Sequence, residues 1–173
     1  MKKINLILIL SFLLASCEGS RGPQGPPGES GGALLGTIFE IEADFTAQND
    51  YSAIFEFPPN EIEVFESDIV QVYLLEDVID DTTGPTDVWT PLPTSFFFED
   101  GSQLVYNFNH TFFDVNVFLG GNINFDSVSN DRLLNQIFRI AVIPANFAGK
   151  AQYLNSYEAV MQAIPEAKIV KID

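Results

Sequence analysis

One cysteine, one histidine and one tryptophan occur in 173 residues, and 8 basic residues stand against 24 acidic ones. Each scarcity removes a class of chemistry. With Cys17 alone, no intrachain disulfide can form, no zinc site can be built from cysteines, and the body of the chain has no thiol nucleophile. With His110 alone, a histidine cluster for a metal is excluded. A Ser-His-Asp triad would have to rest on that one residue, at a strand end with no Gly-x-Ser-x-Gly elbow near it. No phosphate-binding or dinucleotide-type glycine loop occurs. No apolar run reaches the roughly 20 residues that cross about 30 Å of hydrocarbon. The formal net charge is −16 and no basic cluster follows the first three residues, which disfavours nucleic acid and anionic membrane surfaces as partners. Divalent cations, or a basic or neutral polymer, suit the chain better. A carboxylate pair, as in glycosidases, is the catalytic arrangement that so many acidic residues leave open, but no spacing singles out a pair. The expectation is a protein that is not an enzyme.

What the chain does have begins at its first residues. Lys2 and Lys3 precede an apolar segment from Ile4 to Ser16 that has the length of a secretory signal. It ends in Leu14-Ala15-Ser16-Cys17, which resembles the lipobox that directs a diacylglyceryl group onto the cysteine thiol before cleavage on its amino side. Residues 1–16 are therefore expected to be a lipoprotein signal peptide and Cys17 the lipidation site. The loss of two lysines then takes the net charge from −16 to −18. Two or more fatty acyl chains such as palmitate, at about 0.8 kcal/mol per buried methylene, make a stable membrane anchor.

Gly19-Ser20-Arg21, Gly22-Pro23-Gln24, Gly25-Pro26-Pro27 and Gly28-Glu29-Ser30 follow, with glycine at every third place as in collagen. Residues 17–32 thus form a lipidated cysteine and a collagen-like tether. Four triplets return few interchain bonds for the entropy of ordering three chains. A single polyproline II spacer, reaching at most roughly 40 Å, is favoured over a trimer.

Residues 33–173 are long enough for one domain burying roughly two-thirds of its unfolded surface. Phe39, Ile41, Ala43 and Phe45 alternate with acidic residues, and Tyr51, Ala53, Phe55 and Phe57 repeat the alternation after Ala47-Gln48-Asn49-Asp50, which predicts a hairpin. Glu61 to Phe65 reads as a short or edge strand. Asp68 to Glu76 is apolar on both faces and belongs centrally between two layers. Asp77 to Asp87 reads as the chief loop, and Val88 to Pro93, with two prolines, as an extended connection. Thr94 to Phe98 and Gln103 to Asn109 flank an Asp100-Gly101 turn. Phe113 to Leu119 and Gln136 to Ile143 are further strands, the second central. Ile123 to Leu134 reads as a loop with a helical turn. One helix, capped by Asn155 or Ser156, runs to Pro165 before a closing strand from Ala167 to Ile172. The predicted fold is mainly β: an antiparallel β-sandwich of about eight or nine strands, with one short C-terminal helix before the last strand.

Asp77, Asp80, Asp81 and Asp87 supply oxygen ligands of the kind calcium takes, without the spacing of an EF-hand loop. A solvated acidic loop is the simpler reading; no other cofactor is implied. Trp89 would stack on a sugar ring if exposed, whereas Val88 and Leu92 beside it favour a plug at the end of the sandwich. Phe97 must point opposite to Phe96 and Phe98, into a second layer or out to solvent. Arg139, among apolar neighbours in the central strand, requires an Asp or Glu on an adjacent strand.

Cys17, the Gly22-to-Gly28 run, Val88-Trp89-Thr90-Pro91-Leu92-Pro93 and Phe138-Arg139-Ile140-Ala141-Val142-Ile143-Pro144 together resemble a group of small Bacteroidota lipoproteins: lipobox, short Gly-Pro tether and one compact β-rich domain. The resemblance runs over most of the chain and implies a lipid-anchored place in the cell envelope, at the outer membrane. It carries no catalytic residues. Glu18 stands alone after Cys17, without the acidic cluster common in surface-exported members. A structural or interaction module follows as the expected function, its partner an envelope protein or polysaccharide; a calcium- or glycan-binding module is the alternative. The chain without its signal should sediment as a monomer at high concentration; a trimer mass would contradict the spacer reading.

Overall fold

Period-two segments pair into two facing sheets. The structure, a computed structural model, describes residues 36–82, 84–145, 157–163 and 168–172. The expected signal, lipobox, tether and helix caps lie outside the described residues. Two units divide the chain, Met1–Ala33 and Leu34–Asp173, and every described residue belongs to the second.

Nine strands occur among the described residues: β1 (Thr37–Ala43), β2 (Ser52–Glu56), β3 (Ile69–Asp81), β4 (Gly84–Pro91), β5 (Thr94–Phe97), β6 (Gln103–His110), β7 (Asp114–Gly121), β8 (Gln136–Ile143) and β9 (Lys168–Ile172). The first sheet has the order β4-β3-β8-β1-β9 and the second β2-β7-β6-β5. All neighbours are antiparallel except β1 and β9, which pair in parallel. One short helix, α1 (Tyr157–Ala163), precedes the last strand. The mainly β sandwich with a late helix is thus present, with one parallel pair where antiparallel pairing alone was expected.

The core lies between the sheets. Phe39, Val72, Leu74, Phe138 and Ile140 from the first sheet meet Leu104, Tyr106, Val115 and Val117 from the second. Burial of each such side chain contributes about 1.5–3 kcal/mol. β3 and β8 are apolar on both faces because the first sheet is covered twice. Its outer face carries Ile38, Tyr73, Ala141 and Ile143, on which Val160 of α1 is seated.

Three expectations are corrected. Residues Phe39 to Phe57 do not form a hairpin: β1 pairs with β8 and β9, β2 with β7, in opposite sheets. A 3-10 turn, Ala47–Asn49, with Asp50 and Tyr51 both at φ 52°, carries the chain across the core. Phe45 fills the corner, edge-on to Tyr106 and Phe138. Alternation sets which face is buried, not which strand is the partner. Glu61 to Phe65 is not a strand but a turn followed by irregular chain. Asp77 to Asp87 is not a loop: β3 and β4 continue as an antiparallel ribbon to Asp81 and Gly84, and β4 absorbs Val88 to Pro91. Both its prolines lie on a sheet edge, where their missing N–H groups cost nothing.

The β5–β6 hairpin turns at Gly101, φ +81°, as the Asp-Gly pair requires. At Gly121, φ +122°, an added Cβ would sit 2.0 Å from the Gln103 carbonyl oxygen, so no other residue fits without moving backbone. Phe97 points to solvent, 77% exposed, while Phe96 and Phe98 pack on the core. Two 3-10 turns, Phe125–Ser127 and Asn130–Arg132, occupy the expected loop between β7 and β8.

Tyr73 and Tyr106 are both fully buried but differently satisfied. The Tyr106 hydroxyl donates to the Arg132 carbonyl, whereas Tyr73 Oη has no hydrogen-bond partner among the described residues. Burial is the main cause that raises both phenols, Tyr106 to about 12. The folded value exceeds the unfolded value of about 10, so this contribution is complete below pH 10 and is lost as pH rises toward 12. Tyr73→Phe is expected to be neutral or stabilising and Tyr106→Phe to cost about 1 kcal/mol by urea denaturation at neutral pH. The reverse order would contradict this assignment of partners.

Candidate functional site

At one end of the sandwich, β2 runs out at Glu56 beside Asp114, its register partner at the start of β7. The chain then turns at Pro58, whose carbonyl accepts from Glu61 N at 2.9 Å and Ile62 N at 3.1 Å. Prolines at 58 and 59 end the strand and preset this turn. Phe57 and Val64 drop into the core and pin both ends of the segment. Between them and beyond, Glu63, Phe65 and Glu66 stay at the surface. Asp68 closes the segment by accepting from Phe65 N at 3.0 Å and Ala145 N at 3.2 Å.

Across from it lies the tight turn between β6 and β7. Thr111 Oγ1 donates to Asp114 Oδ1 at 2.7 Å and accepts from Phe113 N at 3.0 Å. These bonds hold the rings of Phe112 and Phe113 out at the turn's tip, 4.0 Å apart by their centroids. Phe113 is 66% exposed. Together the two segments enclose an open groove of about 970 Å³, with Pro59, Ile62, Phe65, Phe112 and Phe113 as its apolar lining and Glu56, Glu63, Glu66 and Asp114 around it. Exposed aromatic rings inside a carboxylate rim fit an apolar group next to a positive charge. No single motif marks this groove in the sequence. The paired Phe112-Phe113 at a strand start and the Glu-rich stretch after Pro59 were its traces.

The residues singled out by sequence lie elsewhere. Asp77 and Asp80, three apart in a strand, fall on opposite faces of the β3–β4 ribbon, and Asp87 stands opposite Val78, on the Asp80 side. Asp81 pairs with Gly84 at the tip. Asp77 lines a smaller pocket of about 310 Å³ with Arg132, whose guanidinium lies 3.9 Å over Phe96. Among the described residues, no group of three or more His, Cys, Asp or Glu side chains could hold a metal ion. His110 is exposed at the end of β6, stacked on Phe108, with Nδ1 3.4 Å from the Thr111 carbonyl. Cys17 lies outside the described residues. Among these residues no helix is long and apolar enough to cross a membrane.

Trp89 does not plug the end of the sandwich. It sits on the outer face of the first sheet, near Tyr157 of α1. The Arg139 guanidinium covers its ring at 4.0 Å, which takes from it the bare face that sugar stacking needs. Arg139 has the acidic neighbour its position demanded: Nε and Nη2 each lie 2.9 Å from Glu40 Oε2, directly across the β1–β8 pair. Nη1 donates to Tyr157 Oη at 2.6 Å, and Asp87 Oδ2 stands 4.0 Å from Nη2.

The fold and groove define a two-sheet, mainly β domain with an acidic, aromatic cleft at one end. No family model, curated protein or solved structure matches the chain.

Arg139 and Glu40 are each 14% exposed, so removing the cation takes the charged partner from a largely buried carboxylate. Arg139→Met is expected to cost about 3 kcal/mol in urea denaturation, while Glu40→Leu with Arg139→Met recovers most of the loss. Emission from Trp89, the sole tryptophan, should shift in both variants. A single variant as stable as wild type would contradict the pair's structural role.

Proposed function

We propose that the protein is a lipid-anchored module of the cell envelope that acts by binding and not by catalysis. Cys17 carries the acyl chains at the outer membrane, residues 18–32 hold the domain off the surface, and the sandwich meets its partner at the groove. The observation that carries the binding role is the groove itself: about 970 Å³ of open space with exposed aromatic rings and four surrounding carboxylates. Phe65, Phe112 and Phe113 are exposed together along one groove, a contiguous apolar patch of the kind that marks binding surfaces, whereas Phe97 is exposed outside it. The lining offers no hydroxyl or thiol nucleophile and no imidazole, and its ionisable side chains are the four carboxylates. The anchor rests on the Leu14-to-Cys17 motif and the tether on the glycine-proline run, both features of sequence.

The acidic hairpin suits calcium less well than a loop would, since its aspartates are spread over two faces. Trp89, beneath Arg139, suits a glycan less well than an exposed ring would. The groove is therefore preferred to both as the binding surface.

Cys17→Ala should move the protein from the detergent phase to the aqueous phase, or leave it unprocessed. Detergent partitioning equal to wild type would overturn the anchor. Turnover of a glycan, ester or peptide library by the purified protein, lost on changing a groove carboxylate, would overturn the non-catalytic role.

A further inference from the structure

Among the described residues the second sheet ends in β2, which pairs on one side only, with β7. Leu119 N donates to Tyr51 O at 3.0 Å, and Phe57 N to Phe113 O at 2.8 Å. These bonds at either end of β2 set its phase: the odd-numbered residues pair with β7. Backbone N–H and C=O groups alternate in direction along an antiparallel strand, so those of Ser52, Ile54 and Glu56 point to the open side. Ile54 is 67% exposed.

Edges of sheets are ordinarily blunted by prolines, lysines or shortness. The other three edge strands show such devices. β4 contains Pro85 and Pro91, β9 contains Lys168 and Lys171, and β5 has four residues. β2, with five residues, is only one longer than β5 and ends in the charged Glu56, but it has neither proline nor lysine within it. Its last residue, Glu56, lines the groove, so a strand laid along β2 runs toward the rings of Phe65 and Phe113.

We infer that β2 and the groove form one continuous site for an extended, cationic and apolar peptide segment of a partner protein, which adds as a fifth strand to the second sheet. This rests on the proposed binding role and names the occupant. Main-chain bonds to Ser52, Ile54 and Glu56 supply register. On the inner side, alternate apolar side chains of the peptide lie next to Ala53 and Phe55, both half-buried at the sheet margin. On the outer side, lysine or arginine residues lie near Glu56. An apolar residue beyond Glu56 enters the groove, with Glu63, Glu66 and Asp114 around it.

Charge selects this occupant. A second copy of the chain brings the same excess of negative charge, −16, to the contact. A lipid surface would draw the carboxylates of the rim into the headgroup layer along with the phenyl rings. A cationic strand satisfies ring, rim and edge together.

The test uses the full lipoprotein in detergent and a fluorescein-labelled, end-blocked nonapeptide in which lysine alternates with valine and phenylalanine. Anisotropy should show saturable binding that weakens on raising salt to about 0.5 M. A glutamate counterpart and a counterpart with alternate amides N-methylated should each bind at least about tenfold more weakly, as should the lysine peptide to Phe113→Ser. Phe97→Ser, an exposed ring on the far edge, should leave binding unchanged and controls for folding. Equal affinity for the glutamate or N-methylated peptide, or indifference to Phe113→Ser, overturns the inference. So does binding confined to phosphatidylethanolamine vesicles or to a neutral polysaccharide, with none to the peptide. Those failures leave the detergent partitioning of Cys17 untouched, so the anchor and the occupant stand or fall separately.

Discussion

The guanidinium of Arg139 is the point on which the first sheet closes. It reaches Glu40 on the neighbouring strand, Tyr157 on the helix and Trp89 on the edge strand. α1 has seven residues, too few to persist alone in water. It is held by the burial of Val160 on Ile38, Tyr73 and Ala141 and by the Tyr157 bond to Arg139. A charge in the middle of the best strand is thus the means by which the outer face is covered. With that face covered by the helix and the inner face by the core, the exposed rings of the molecule fall largely to the second sheet and its ends.

The two ends of the sandwich differ in kind. At one, Phe45 N donates to Leu133 O at 2.7 Å, Asn135 N to Asp44 Oδ1 at 2.7 Å, and Tyr106 to the Arg132 carbonyl. Phe45, Val128 and Leu133 are buried beneath these bonds. At the other, Phe57 and Val64 are buried, yet Phe65, Phe112 and Phe113 are left at the surface by segments whose own bonds hold them there. The local hydrogen bonds of those two segments matter physically. Rings presented on preset turns lose little entropy when a partner covers them.

Much of the fold was legible because alternation reports burial directly. Phe97 opposite to Phe96 and Phe98, β8 central and the carboxylate opposite Arg139 follow from period two and the cost of a lone buried charge, and the turn at Gly101 from the Asp-Gly pair. Whether Phe97 met a second layer or solvent did not follow. Pairing was less legible. The Ala47-to-Asp50 segment has the composition of a hairpin turn, yet the left-handed Asp50 and Tyr51 send β2 to the other sheet, and no local signal tells a turn within a sheet from an arch between sheets. The aspartates of 77–87 read as a loop because Asp is poor in strands, but β4 and the bulge between Leu75 and Asp77 give them an edge ribbon to occupy. The groove was least visible. It is assembled from residues 56–66 and 112–114, far apart in the chain and brought together by β2 pairing with β7.

Among the described residues β2 is bonded on one side only, and its other edge leads into that groove. Residue-resolved amide hydrogen exchange on the full chain distinguishes an open edge from a covered one. Ala53 and Phe55, bonded to β7, should be protected, while Ser52, Ile54 and Glu56 exchange at rates near those of a free chain. Uniform protection from Ser52 to Glu56 would contradict an open edge, because it would mean that something already covers it.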